Sequence, residues 1–259
     1  MNFGKVIAGF GLLVLIGVCG CGAGKEKSNP GKLTRLNEQQ IEILEQEGLP
    51  TDIEKLSASQ KRCIMKIDAM MNYMEETYGE EFVFDGYNEP EILDKREKLY
   101  VYRAVDTDKT SLIEVDRKWE NDEWVYEDDY LCAYAASYWK ELVREYLKDL
   151  LQEDQFKIRC MYAGYENDAT TENIKKDFKK YTCNPSAYID IDGGSVSEKE
   201  YEELINNLKR FAKEEGFENF GMFLLKKGVM QRKEELSEND EIEYSFEEEE
   251  DYIRVDYLL

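Results

Sequence analysis

Two stretches of this sequence are bracketed at both ends in the manner of long amphipathic helices, and they restrict the fold more than any other feature. Ser57 and Gln60 have the spacing of a capping box. Cys63, Ile64, Ile67, Met70, Met71 and Met74 then recur on one helical face, and Gly79 supplies a left-handed stop. The second stretch repeats the design, with Ser197 and Glu200 as the box, Tyr201, Leu204, Ile205, Leu208, Phe211 and Ala212 as the stripe, and Gly216 as the stop. Each stripe must be buried against another layer. Shorter or less sharply bounded helical patterns run over Asn37 to Glu47, Ser137 to Leu151 and Thr171 to Tyr181.

Between these helices lie runs with strand composition: Phe82 to Phe84, Leu99 to Val105, Ser111 to Trp119, Trp124 to Tyr126, Lys157 to Tyr162, Ala187 to Ile191, Met222 to Leu225 and Tyr252 to Leu258. Trp119 and Trp124 flank the polar loop Glu120 to Glu123, so a hairpin would bring the two indoles across from each other. Several consecutive strands between helices predict an α+β fold, with mainly antiparallel sheets packed by amphipathic helices. From Gln155 onward strands and helices alternate, which is compatible with two small subdomains, 37–153 and 154–259. In the strand at 157–162, strict alternation places Ile158, Cys160 and Tyr162 on one side and Lys157, Arg159 and Met161 on the other. No internal repeat at a fixed period is present.

Composition removes several chemistries. The 259 residues include no histidine, so no Ser-His-Asp or Cys-His nucleophile, His-ligated zinc or imidazole base can be assembled. A formal charge of −23 opposes a nucleic-acid partner, because such binding depends on Lys and Arg neutralising phosphates. With 18 Tyr, 11 Phe and 3 Trp, the chain is nevertheless aromatic enough to build a core.

The amino terminus carries the sharpest functional signal. Lys5 is followed by the uncharged run Val6 to Val18, and Val18, Cys19 and Gly20 then precede Cys21. An aliphatic residue three positions before a cysteine, with a small residue directly before it, resembles the lipobox of bacterial lipoproteins. Cys19 fits less well, since bulky Val18 would sit at its cleavage point. In leader and composition the chain is also similar to uncharacterised lipoproteins of low-GC Gram-positive bacteria, a likeness that carries no activity with it. The lipobox resemblance implies that signal peptidase II removes residues 1–20 and that Cys21 carries diacylglycerol. It further implies that the mature protein is held at the outer face of the cell membrane by this anchor. Each buried acyl methylene contributes about 0.8 kcal/mol, so two chains hold a protein on a bilayer where one is marginal. A transmembrane helix from Val6 to Gly24 is the competing reading, and glycines at 9, 11, 17, 20, 22 and 24 count against it.

Residues 21–36 form a lipidated cysteine and a flexible basic tether, whose segment Gly22 to Arg35 has a mean reach of about 20 Å. Five of the 34 cations and one of the 57 anions precede residue 36, leaving 29 against 56 and a net charge of −27 on the body at 37–259.

Four cysteines remain beyond Cys21. In an extracytoplasmic chain Cys63, Cys132, Cys160 and Cys183 allow two disulfides in three connectivities, although Cys63 and Cys160 fall on apolar faces where a free thiol packs as a small hydrophobe. Asp190, Ile191, Asp192, Gly193 and Gly194 resemble the opening of a calcium loop, but the twelfth position from Asp190 is Tyr201 where an EF-hand needs a bidentate Glu. A strand end and turn before the helix capped by Ser197 explains the same residues. The acid run Glu247 to Asp251 reads as a solvated loop. No residue stands out as catalytic, and neither a metal nor a cofactor is expected.

The resulting expectation is a non-catalytic binding or interaction module of the cell envelope, meeting an envelope protein or a small-molecule ligand. Two other classes stay open. A solute-binding lipoprotein of a transport system would gain thermal stability from its ligand. A carboxylate-dependent envelope glycan hydrolase would show paired carboxylates of unequal acidity across a cleft.

Overall fold

A computed structural model describes residues 33–90, 95–230 and 252–259. The leader, Cys21, the tether as far as Lys32 and the acid run Glu247 to Asp251 lie outside the described residues. The chain forms two compact units. Of the described residues, one holds those from 33 to 105 together with Glu114–Asp128, and the other holds Asp106–Ile113 together with those from Asp129 onward. The helix expected at 137–151 therefore belongs with the later sheet.

The first unit contains helices α1 (Glu38–Gln46) and α2 (Ala58–Tyr78) and strands β1 (Phe82–Asn88), β2 (Glu97–Arg103), β3 (Ile113–Glu120) and β4 (Glu123–Asp128). The sheet order is β1-β2-β3-β4. Both helices begin on complete capping boxes. Asn37 and Ser57 accept from the backbone N–H of Gln40 and Gln60, and each glutamine side chain returns to the cap N–H, so orphan donors are satisfied on both sides. Gly79 closes α2 at φ 66°, a conformation that favours a residue without Cβ. The expected stripe of α2, from Cys63 to Met74, is buried. β3 and β4 form the expected hairpin. Asn121 and Asp122 take positive φ in its turn, and Trp119 pairs with Trp124 edge to face at 5.1 Å between ring centroids.

The second unit contains α3 (Tyr130–Lys148), β5 (Phe156–Tyr165), the short helices α4 (Thr171–Lys176) and α5 (Phe178–Tyr181), β6 (Thr182–Asp192), α6 (Glu198–Glu215), β7 (Asn219–Leu225) and β8 (Tyr252–Tyr257). The sheet order is β5-β6-β7-β8. β5 and β8 lie antiparallel to their neighbours, whereas β6 and β7 are parallel and joined through α6. A parallel pair needs such a crossover. The molecule is α+β, with mostly antiparallel sheets packed by amphipathic helices. Among the described residues no helix is long and apolar enough to cross a membrane.

Two boundaries differ from expectation for local reasons. α3 starts seven residues before Ser137. That serine does not cap the helix, because its hydroxyl bonds back to the Tyr134 carbonyl at 2.7 Å, a mid-helix use of a residue that otherwise marks an end. The single helix expected over 171–181 is split at Asp177, whose φ of −156° and ψ of 78° interrupt the helical ladder.

One face of the second sheet is the wall of a core shared with α3 and α6. Ile158, Met161, Ala187, Ile189, Phe220 and Met222 meet Trp139, Val143, Leu147, Tyr201, Leu208 and Phe211 there. Trp139 sits among aromatics, edge to face with Phe178 and Phe217 at 5.1 and 5.2 Å, and its indole N–H donates to Thr182 Oγ1 at 2.9 Å.

Candidate functional site

The opposite face of the second sheet has a different composition. In a pleated sheet, register partners on neighbouring strands share a face. One row across the four strands runs Cys160, Tyr188, Gly221, Tyr257, and the next runs Lys157, Asp190, Phe223, Val255. Tyr162 lies beyond the first row, opposite Ser186. Tyr257 is 72% exposed, Tyr162 50% and Val255 40%, and Ile253 beside them is 58% exposed, so an aliphatic and aromatic surface faces solvent here. Isolated exposed hydrophobes are ordinary; these four share one face of one sheet.

The layer beneath is closely packed. A Cβ on Gly221 would lie 2.6 Å from Tyr188 Cδ1, so the absent side chain is what lets the Tyr188 ring lie down across β7. Arg159 grips Asp190, with Nε 3.1 Å from Oδ2 and Nη2 bonded to Oδ1, while its guanidinium lies 4.4 Å over the Phe223 ring. The face thus combines apolar side chains with a charge pair already neutralised inside it. Next to Tyr162, the Cys132 thiol donates to the phenol oxygen at 3.8 Å. The neighbouring Cys132 first, then burial and Asp129, push the phenol up to about 12, so it stays protonated at neutral pH.

The expectation for Cys160 is corrected here. Strict alternation put it with Ile158, but a bulge between Ile158 and Cys160 inserts one residue, so Cys160 turns to the open face and Met161 enters the core. Cys63 behaves as expected on the buried stripe of α2, where burial first and then Glu89 push its thiol up to about 12. Cys63, Cys132, Cys160 and Cys183 are all free thiols.

The Asp190 to Gly194 run is a strand end followed by a turn. Asp190 belongs to Arg159. Asp192 accepts from the Gly194 N–H at 3.2 Å and from the Ser195 hydroxyl, the pattern of an Asx turn leading into α6. Gly193 is required, because a Cβ there would lie 2.3 Å from the Leu225 carbonyl oxygen. Among the described residues no cluster of three or more acidic or cysteine ligands is placed to hold a metal.

The first unit holds a buried charge cluster that was not singled out from sequence. Arg117 donates to Glu97 through Nε at 2.8 Å and through Nη2, and Lys66 Nζ approaches the other Glu97 oxygen at 2.9 Å. The guanidinium stacks 4.3 Å over Trp124. Nearby, the Tyr87 hydroxyl is buried without a hydrogen-bond partner, and burial, followed by the Glu97 charge, pushes its pKa up. The phase of the strands carried the missing signal. Arg117 follows Ile113 and Val115 at alternate positions, and Glu97 precedes Leu99 and Val101 in the same way, so both charges occupy core-facing positions. Glu97 is committed to two cations. A depression between α1 and α2, lined by Ile43, Leu44, Cys63, Ile64 and Ile67 among others, has a volume of about 10 Å³, near that of a single water.

No family model matches the chain, and no curated protein matches it. A solved structure of a DUF5037 family protein from Ruminococcus gnavus is similar to it at 18% identity and a TM-score of 0.45, covering 66% of this chain and 79% of that one. A likeness at that level carries no argument about fold or activity.

Proposed function

We propose that this chain is a lipoprotein, anchored through Cys21 to the outer face of the cell membrane, and that its body is a non-catalytic interaction module for a protein of the cell envelope. The leader supports the location. The observation that carries the interaction reading is the open face of the β5-β6-β7-β8 sheet, where Tyr162, Val255 and Tyr257 stand exposed over a layer fixed by Arg159, Asp190 and Phe223. A partner for such a face presents apolar and aromatic groups at its centre. Its rim would be basic, because the acidic body steers cations toward itself.

Site-specific photocrosslinking in cells tests this reading. A photoreactive residue at Tyr162 should give a discrete adduct with an envelope protein, while the same probe at Val105, 73% exposed in the first unit, should not. Equal labelling from the two positions would remove the interaction surface from the account. Tyr162 is the appropriate position because β5 lies at the far side of the sheet from β8, so its adducts report on the face and not on that strand's edge.

A further inference from the structure

Among the described residues β8 is the outermost strand of its sheet and pairs with β7 alone. Its hydrogen-bond phase is set by the Leu258 N–H, which donates to the Phe220 carbonyl at 2.8 Å. Met222 opposite Asp256 and Leu224 opposite Arg254 continue that phase, so the even-numbered residues exchange hydrogen bonds with β7. The N–H and C=O groups of Val255 and Tyr257 therefore point outward, and Ile253, Arg254, Val255 and Tyr257 are all exposed. An open edge of this kind is a template for another strand.

We propose that the occupant of this edge is the β8 strand of a second copy of the chain, paired antiparallel about a two-fold axis through Val255. Symmetry restricts the choices. In an isologous antiparallel pair one residue lies opposite its own copy. Centring on Arg254 would set arginine against arginine, and centring on Asp256 would set aspartate against aspartate, both of which are unfavourable. Centring on Val255 sets Arg254 against the partner's Asp256, Asp256 against the partner's Arg254, and Tyr257 against the partner's Ile253. The two outward-pointing Val255 backbones then exchange a pair of hydrogen bonds, as the phase of the edge demands. Arg254 already lies beside Asp256, with Nε 2.9 Å from Oδ2, and also pairs with Glu202 of α6, so the pairing brings the two copies' opposite charges alongside a network each has formed. The two sheets join into one of eight strands whose apolar open faces are continuous. Repulsion between the acidic bodies opposes this association, but it is screened beyond about 8 Å at physiological ionic strength.

Val255→Pro separates the edge from the fold. The Val255 N–H is not used within its own sheet, and proline is tolerated on an edge strand whose N–H faces outward. Sedimentation velocity of the full chain in detergent should show a dimer for the unmodified protein. For V255P the association should be roughly 10- to 100-fold weaker, as expected for the loss of two backbone hydrogen bonds. A monomer for the unmodified protein at high micromolar concentration, or a dimer of unchanged affinity for V255P, overturns the proposal. Should V255P unfold, Val255→Cys gives the reading instead. Mild oxidation should yield an interchain disulfide that maps to position 255 on both chains, and failure to form it, or a crosslink through Cys160 alone, overturns the pairing.

Discussion

Arg117→Met should destabilise the protein by about 3 kcal/mol, at the lower end of the 3–5 kcal/mol typical when one partner of a buried ion pair is removed. The reason is the position of Glu97. Its side chain is 4% exposed and that of Arg117 3%, so without the guanidinium the carboxylate loses two charge-assisted hydrogen bonds and cannot recover them from water. Lys66, 2.9 Å from the other carboxylate oxygen and 22% exposed, retains part of the compensation and keeps the loss from being larger. Methionine preserves much of the volume and can make sulfur contacts with Trp124, so the effect isolates the charge rather than a cavity. The double variant Arg117→Met with Glu97→Leu should recover most of the stability, because an apolar pair replaces a buried ionic one at little net cost. Urea unfolding of the two single variants and the double variant closes the cycle. A single-variant loss below about 1 kcal/mol would show that the cluster is not desolvated as described.

Trp139→Ala should cost about 3–5 kcal/mol, the range for deleting a large buried aromatic. The indole is 3% exposed and touches Phe178 and Phe217 edge to face, so its removal leaves a void among rings that cannot collapse without breaking their own contacts. It also removes the donor to Thr182 Oγ1. That hydroxyl keeps its own bond to the Phe178 carbonyl at 2.8 Å, so no buried donor is stranded and the loss is chiefly one of packing. Trp139→Phe should accordingly cost much less, about 1–2 kcal/mol. Unfolding midpoints for the two variants check the order; equal losses would assign the cost to the hydrogen bond and contradict the packing argument.

The sequence reveals the elements whose signals are local. Ser57 with Gly79 and Ser197 with Gly216 mark helix ends because caps act over three or four residues, and the observed boxes are formed by those same side chains. The tryptophan hairpin is legible for the same reason. Where a residue has two uses, the reading fails. Ser137 resembles a cap but bonds backward, and the start of α3 is displaced. The bulge at Arg159 is set by pairing with β6, which no local pattern encodes, and it alone decides that Cys160 faces out and that Arg159 can reach Asp190. The open face is therefore the least visible feature in the sequence, since Tyr162, Tyr188 and Tyr257 become neighbours only through register. The buried pair Glu97 and Arg117 could have been found from strand phase, although their pairing required the order of the sheet.

The central claim, a tethered interaction module, rests on the sulfur at position 21. Labelled palmitate fed to cells should enter the protein, and the incorporation should disappear in Cys21→Ser while Cys19→Ser retains it. The recovered polypeptide should begin at Cys21. An unlabelled wild-type chain, or one that still carries the leader, would contradict the anchor and with it the outer face of the membrane as the place where this surface meets its partner.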